Sequence, residues 1–307
     1  MDVSVIIINY NTLEITKDAI NSILEKTKEI NYEIILVDNA SVDGSVEYFE
    51  SNYKDKILFI KNTENLGFGR ANNKGIKIAR GKYVFLLNSD TLLINNAIKI
   101  LYDFMEKSEN IGVCGANLYD ELKKPIGSFA YEYPSIFSGC YQLKRKLYKK
   151  MTRKELEHNY NIHPIEVAFI VGADMLIKKE LLNEIGTFDE DFFMYYEEIE
   201  LQYRVKKHGY LIKNVPSAKI IHLEEQSSNK LNQETFKEKK YRMLLKSKYK
   251  YFYKIKNLKT CKYSYYISQL GYFIKLTLTF NNNYLKMLKI NKEEYKKFNE
   301  WRNGVRR

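Results

Sequence analysis

The sequence is poor in cysteine, and this limits how the fold can be stabilised. Its 307 residues include three cysteines, Cys114, Cys140 and Cys261, and they form no CxxC pair. An odd number of widely spaced cysteines argues against both a disulfide framework and a cysteine-ligated zinc site. We therefore expect a protein of a reducing compartment, the cytoplasm.

Long apolar runs are also missing. The N-terminal stretch MDVSVIIINYN has an acid at position 2, no basic leader and only a short apolar run, which does not fit a signal peptide or a membrane span. The segment YSYYISQLGYFIKLTLTF at 263–280 is apolar and aromatic, but it contains Lys275 and is shorter than the roughly 20 residues of a span. We expect a first strand at the N-terminus. The later segment is expected to lie on a membrane without crossing it.

Acidic residues are scarce at the end of the chain. Residues 236–307 contain 20 Lys and Arg but 4 Asp and Glu, whereas residues 1–235 contain 30 and 34. Such a tail is attracted to anionic surfaces, which are either phospholipid or nucleic acid. Because no nucleic-acid reader motif accompanies it, we expect an anionic membrane surface and no nucleic acid. A helical extension that packs on the body or pairs two subunits as a homodimer remains the alternative.

Short apolar runs alternate with helical spacing in the first part of the chain. Runs at 3–8, 32–38, 57–60 and 82–88 predict strands, and the apolar residues between them recur at helical intervals. This alternation predicts an α/β fold with a mostly parallel sheet flanked by helices. From 119 to about 165 the periodicity fades, and we interpret that stretch as a mobile or acceptor-side connection.

Polar residues follow three of these strands, where parallel sheets bind ligands. Asp38 ends the second strand, and its carboxylate can accept hydrogen bonds from a base or a ribose. After the third strand, Gly67 allows close backbone approach and Arg70 can face phosphate oxygens at a helix start. The fourth strand ends in Asn88-Ser89-Asp90. Three polar strand ends in one sheet favour a shared ligand over three unrelated solvated turns.

Two familiar motifs fit these loops poorly. GFGRAN begins like a dinucleotide fingerprint, but Asn72 stands where the third glycine is expected. DNASVDG lacks the acid spacing and final glutamate of a calcium loop.

The motifs in order are more specific than any one of them. VSVIIINYN, VDNASVDGS, NLGFGRANN, LLNSDT, the stretch from GADMLIKK to KKHGY, and IIH followed by QSS together resemble the inverting family 2 glycosyltransferases, in their rhamnosyltransferase-like branch. The resemblance runs from residue 3 to about 228. It implies the GT-A fold, with a nucleotide-sugar-binding half at 1–118 and an acceptor-binding, catalytic half of the same domain at 119–235. Residues 236–307 would then be a basic, aromatic helical tail for membrane or subunit association.

The resemblance also implies roles for particular residues. Asp90 takes the place of the last acid of the family's DxD signature, which holds Mn²⁺ or Mg²⁺ against the donor diphosphate. Asn88 replaces the first acid and would touch the ribose or a water, whereas Asp38 would read the pyrimidine base. His222 would complete the metal site from the acceptor half. The full set implied for the nucleotide sugar is Asn11, Asp38, Asn65, Gly67, Arg70, Asn88, Ser89 and Asp90.

The general base is expected in the stretch FFMYYEEIELQYRVKKHG. The family opens this helix with an acidic pair whose second member is the base, which implies Glu198, with Glu197 as the second choice. The side chain of Glu198 is longer than the family's usual Asp. Acids at a helix start also complement the helix dipole without any catalytic role.

The resemblance implies transfer of rhamnose from dTDP-rhamnose to a hydroxyl of a growing surface glycan, on an acceptor linked to polyprenyl diphosphate. The protein would work at the inner face of a bacterial cell membrane as a peripheral protein. A UDP-sugar donor is the alternative within the same chemistry. A catalytically silent adaptor that binds through its basic tail is the alternative of another class. A nucleotidyltransferase would need a Gly-rich, Lys-bearing N-terminal loop, and residues 9–16 read NYNTLEIT.

Overall fold

The computed structural model describes residues 1–223 and 233–305, without the side chains of 139–140, 233–236 and 305. The segment QSS at 226–228, part of the resemblance, lies outside the described residues.

The chain alternates strands and helices and then ends in three long helices. The strands are β1 Val3–Asn9, β2 Tyr32–Asp38, β3 Leu58–Lys61, β4 Tyr83–Asn88, β5 Thr91–Leu93, β6 Ile111–Tyr119, β7 Phe129–Ala130, β8 Ile165–Glu166, β9 Phe169–Ile170, β10 Asp174–Lys178 and β11 Leu211–His222. The helices are α1 Leu13–Lys26, α2 Ser45–Asn52, α3 Phe68–Ile78, α4 Ala97–Glu106, α5 Ser138–Thr152, α6 Lys179–Ile185, α7 Glu197–Lys207, α8 Gln233–Ile255, α9 Leu258–Thr279 and α10 Asn282–Val305.

One mixed sheet organises the body, with strand order β3-β2-β1-β4-β10-β6-β11-β5 and β8 paired to β11. β1, β2, β3 and β4 run parallel, as the alternation predicted. β10 enters antiparallel between β4 and β6, and β5 runs antiparallel to β11. The α/β fold with a mostly parallel sheet and a helical C-terminal region is therefore confirmed.

Both faces of the sheet are covered, which explains the uninterrupted apolar runs. Val5 and Ile7 pack in the core on one face, and Ile6 packs in the core on the other. Successive strand residues point to opposite faces, so a run without polar residues fills both cores at once.

The structure differs from the sequence interpretation at 119–165. Residues 138–152 form α5, a helix of 15 residues. Its apolar side chains Leu143, Leu147 and Met151 are exposed by 59, 50 and 83%. These three residues recur every four positions, as on one face of a helix, although the face that they form is exposed.

The tail packs on the body through its first helix. Phe192 and Ile199 from the body share a core cluster with Tyr251 and Phe252 of α8. Ser247 in α8 donates a hydrogen bond of 2.7 Å to the carbonyl of Met194. In the described parts of the chain, no helix is both long and apolar enough to cross a bilayer.

Candidate active site

At the short turn between β4 and β5, two side chains that are distant in sequence come together. β4 ends at Asn88, and the strand pairing of β5 with β11 sets Thr91 opposite His222. The carbonyl of Asp90 accepts a hydrogen bond of 2.9 Å from the amide of Leu223. As a result Nε2 of His222 lies 3.3 Å from Oδ1 of Asp90, and each side chain is 13% exposed. The two residues singled out for the metal are therefore neighbours.

These two side chains fit a divalent cation. A carboxylate oxygen and an imidazole nitrogen 3.3 Å apart are close enough to share one ion, and both are ligands that Mn²⁺ accepts. Nδ1 of His222 is buried and has no hydrogen-bond partner among the described residues. Over residues 1–223 and 233–305, no group of three or more His, Cys, Asp or Glu is placed to hold a metal. Two protein ligands leave room for phosphate oxygens and water, which is how Mg²⁺ usually binds.

The acidic pair lies at the start of α7, after a strained turn. Tyr195 and Tyr196 have φ values of 69° and 70°, in the left-handed region that non-glycine residues rarely adopt. This turn sends Glu197 toward α3, where its Cβ lies 3.7 Å from the position a Cβ would take on Gly69. Glu198 instead lies beside Gly172, where the corresponding distance to its Cγ is 3.3 Å.

Gly172 connects Glu198 to the end of β4. It precedes Ala173, whose carbonyl accepts a hydrogen bond of 3.0 Å from the amide of Asn88. Glu198 therefore lies beside the backbone that bonds to the end of β4, whereas Glu197 lies toward α3. This placement favours Glu198 over Glu197 as the group that reaches a substrate, and the assignment of the base stays a prediction.

Burial alters the acid strength of both carboxyls. It raises the pKa of Glu198, and the amides of Glu198 and Ile199 at the helix start oppose it. The pKa of Glu197 is raised well above its usual range, first by burial and then by the neighbouring Glu198 charge. One carboxylate oxygen of each is buried without a partner among the described residues. A raised pKa strengthens a carboxylate as a base once it is ionised.

Gln202, one turn along α7, was missed by the sequence analysis. Its amide pairs with the backbone of Ile170, accepting at 2.7 Å and donating at 2.8 Å. It also donates to the carbonyl of Glu198 at 3.1 Å. Gln202 thus ties the start of α7 to β9, but an amide in a run of charged residues gave no sequence signal.

Asp38 is fully buried at the end of β2. Its Oδ2 accepts from the side chain of Asn9 at 2.7 Å, and its Oδ1 accepts from the amide of Ser41 at 2.8 Å. Asn11, with φ 55°, accepts at 2.7 Å from the amide of Val42. These bonds link the loops that follow β1 and β2, and Asp38 stabilises this link. The contact of Asp38 with a base stays a prediction.

In the loop after β3, residues that the sequence predicted to bind the donor instead contact other parts of the protein. A Cβ on Gly67 would lie 2.0 Å from the carbonyl oxygen of Phe193, so the glycine admits the backbone of the 187–196 loop. Arg70 donates through Nε to the carbonyl of Glu190 at 2.8 Å. Asn65 accepts from the amide of Gly67 at 2.9 Å. Donor binding by these three residues stays a prediction. In the structure Gly67 and Arg70 contact the loop that leads into α7, whereas Asn65 bonds within its own loop and to Asn39.

The structure thus brings Asp90 and His222 into contact and places Ser89 beside Thr12, whose hydroxyl lies 3.5 Å from that of Ser89. This mixed sheet with its polar strand ends is the GT-A architecture. The sequence model described as glycosyl transferase family 2 matches residues 4–186, more than half of the chain, and the chain belongs to this family.

Individual relatives agree with this assignment. Glycosyltransferase GlyG of Streptococcus pneumoniae serotype 4 is 32% identical over 186 residues, which are 60% of this chain and 58% of that protein. The N-acetylglucosaminyl-diphospho-decaprenol L-rhamnosyltransferase of Mycobacterium tuberculosis is 26% identical over 64% of this chain and 68% of that protein. The crystal structure of GalNAc-T7 with UDP, GalNAc and Mn²⁺ superposes with a TM-score of 0.60 and 15% identity, covering 98% of this chain and 56% of that one. At this identity the structural likeness concerns the fold alone.

Proposed function

We propose that this protein is a metal-dependent inverting glycosyltransferase that moves rhamnose from dTDP-rhamnose to a hydroxyl of a lipid-linked glycan. The observation that carries the proposal is the contact between Asp90 and His222 at the carboxyl end of β4. A silent adaptor would have no need for this pair, nor for the two buried carboxyls of α7.

Each part of the site has a distinct task in this reaction. Asp90 and His222 would hold Mn²⁺ or Mg²⁺, which would supply positive charge to offset the charge of the departing diphosphate. Glu198 accepts the proton of the acceptor hydroxyl, which is a weak nucleophile while it keeps that proton. Attack from the face opposite the leaving group inverts the anomeric centre.

The donor and the acceptor rest on the relatives. The mycobacterial relative is named for rhamnose transfer to an N-acetylglucosaminyl-diphospho-decaprenol, which supports rhamnose as the transferred sugar and a polyprenyl-diphosphate acceptor here. The acceptor would lie at the inner face of the bacterial membrane.

The tail supports a membrane location. On α9, Tyr263, Tyr266, Ile267, Leu270, Phe273, Ile274 and Leu278 are all exposed and recur at helical spacing. Lys259, Lys262 and Lys275 accompany them, and α9 contains no acid. A homodimer through this face would oppose like charges. An anionic leaflet accepts both the lysines and the apolar stripe.

A donor screen tests the proposal. The purified chain is incubated with Mn²⁺ and dTDP-rhamnose, UDP-sugars or GDP-mannose, and thermal shift and slow donor hydrolysis are recorded. We expect dTDP-rhamnose to give the largest response, and Asp90→Ala to lose it while the surface control Asp55→Ala keeps it. Preference for a UDP-sugar would change the proposed donor but leave the proposed glycosyltransferase activity unchanged. The absence of any response to every nucleotide sugar would contradict the transferase.

A further inference from the structure

A cavity of about 500 Å³ lies where the tail meets the body. Its walls come from the start of α5, from α8 and from α9, and they include Phe137, Tyr196, Leu245, Lys248, Phe252 and Ile267. This volume falls in the range of about 300–1,000 Å³ that is typical of small-ligand sites. The cavity is separate from the Asp90 and His222 pair, neither of which lines it.

The cavity is apolar except for one cation and a few hydroxyls. Lys248 of α8 reaches the hydroxyl of Ser268 at 3.1 Å. No carboxylate among the described residues offsets its charge, and burial lowers its pKa to about 8. A partly buried ammonium without a counter-ion is costly, and an anionic ligand would lower that cost.

The mouth of the cavity adjoins apolar surface on two helices. Phe137 precedes α5 and is 66% exposed, and Ile267 of α9 is 46% exposed. Beyond Phe137, α5 continues with exposed Leu143, Leu147 and Met151 among five Lys and Arg residues and no acid. An apolar chain that leaves the cavity would therefore continue along apolar, basic surface and not enter water.

The cavity also touches the catalytic helix. Tyr196, which lines it, immediately precedes Glu197 and packs against Tyr251 of α8, with the two ring centroids 5.2 Å apart. A ligand in the cavity would thus contact the strained turn that precedes Glu197 and Glu198.

From these contacts we propose that the cavity between α5, α8 and α9 binds the phosphate and first isoprene units of a prenyl-phosphate lipid, with Lys248 as the anion contact. This assignment rests on the proposed function only for the idea that the lipid carries the acceptor sugar. The binding itself requires no donor and no metal.

The test measures binding of farnesyl phosphate to the full chain by the change in intrinsic fluorescence, without nucleotide or metal. We expect saturable binding, weakened at least tenfold in Lys248→Met. The matched control Lys246→Met removes an exposed lysine of the same helix and should bind like the wild type. Circular dichroism and thermal melting confirm that both variants are folded.

Two further probes separate the sources of the anion. Farnesol should bind much more weakly than farnesyl phosphate, because it offers Lys248 no charge, and inorganic phosphate should bind only weakly because it fills none of the apolar wall. Equal binding of farnesol and farnesyl phosphate, equally tight binding of inorganic phosphate, or equal loss in both lysine variants would overturn the assignment.

The outcome is independent of the donor screen. Donor hydrolysis without farnesyl phosphate binding would leave the transferase intact and remove the lipid site. Farnesyl phosphate binding without any donor response would leave the lipid site intact and contradict the transferase.

Discussion

Removing two apolar side chains from α9 should release the protein from anionic membranes. Leu270 and Phe273 are 59 and 56% exposed, so roughly half of each side chain is free to enter a bilayer. Full burial of such a side chain is worth about 1.5–3 kcal/mol, and the exposed halves of both together give about 2–3 kcal/mol. The double change Leu270→Ser and Phe273→Ser should therefore lower the partition coefficient about 30- to 150-fold.

Co-sedimentation with liposomes measures this effect. The wild type should bind vesicles that contain anionic lipid at low salt, bind less at high salt, and bind neutral vesicles weakly. Ile78→Ser and Ile162→Ser form the matched control, because both side chains are exposed, by 42 and 83%, but lie on the body. If the α9 variant partitions like the wild type, or if the control loses as much, the reasoning about α9 is wrong. Deletion of the whole tail is a poorer test, because it would uncover Phe192 and Ile199.

Three further predictions concern the site. Asp90→Ala should abolish Mn²⁺-dependent donor binding and His222→Ala should weaken it, measured by calorimetry with and without chelator; metal-dependent binding by Asp90→Ala would contradict the assignment. Glu198→Gln should keep donor affinity but lower turnover about 10²–10⁴-fold, and a larger loss in Glu197→Gln would reverse the choice within the pair. Because burial raises the pKa of Glu197 in the folded state, its stabilising contribution is complete below its unfolded pKa of about 4.3 and is lost as pH rises toward the folded pKa. In that window the wild type should lose up to about 1.4 kcal/mol per pH unit from this group, and Glu197→Gln should lose less in urea unfolding at pH 5, 6 and 7; parallel pH profiles would refute the burial argument.

The strands of the first half could be predicted because their apolar runs are short and bounded by polar residues. β2 begins and ends where the run at 32–38 does, since both faces of the strand are buried. α5 differs, because Leu143, Leu147 and Met151 recur at helical spacing but face outward, so that their spacing does not mark a helix packed on the core.

The candidate site was predictable in its residue types but not in its geometry. That Asp90 and His222 meet depends on the pairing of β5 with β11, across 132 positions of sequence. No local pattern contains such information, and only the resemblance to a family suggested it. The same limit explains Gly67, where the sequence indicated a close approach but could not show that the nearest backbone is that of Phe193.

The antiparallel entry of β10 between β4 and β6 has a consequence for how the chain assembles during synthesis. When residues 1–119 have left the ribosome, β4 and β6 both exist, but the strand that joins them, Asp174–Lys178, has not yet been made. A nascent chain can form the β3-β2-β1-β4 portion early, because these four strands pair with one another, although the outer edge of β4 waits for β10. β6 must wait with exposed edges for β10 and β11. A chain cut directly after β6, between residues 119 and 120, would therefore yield two pieces that complete one sheet only by reassociating.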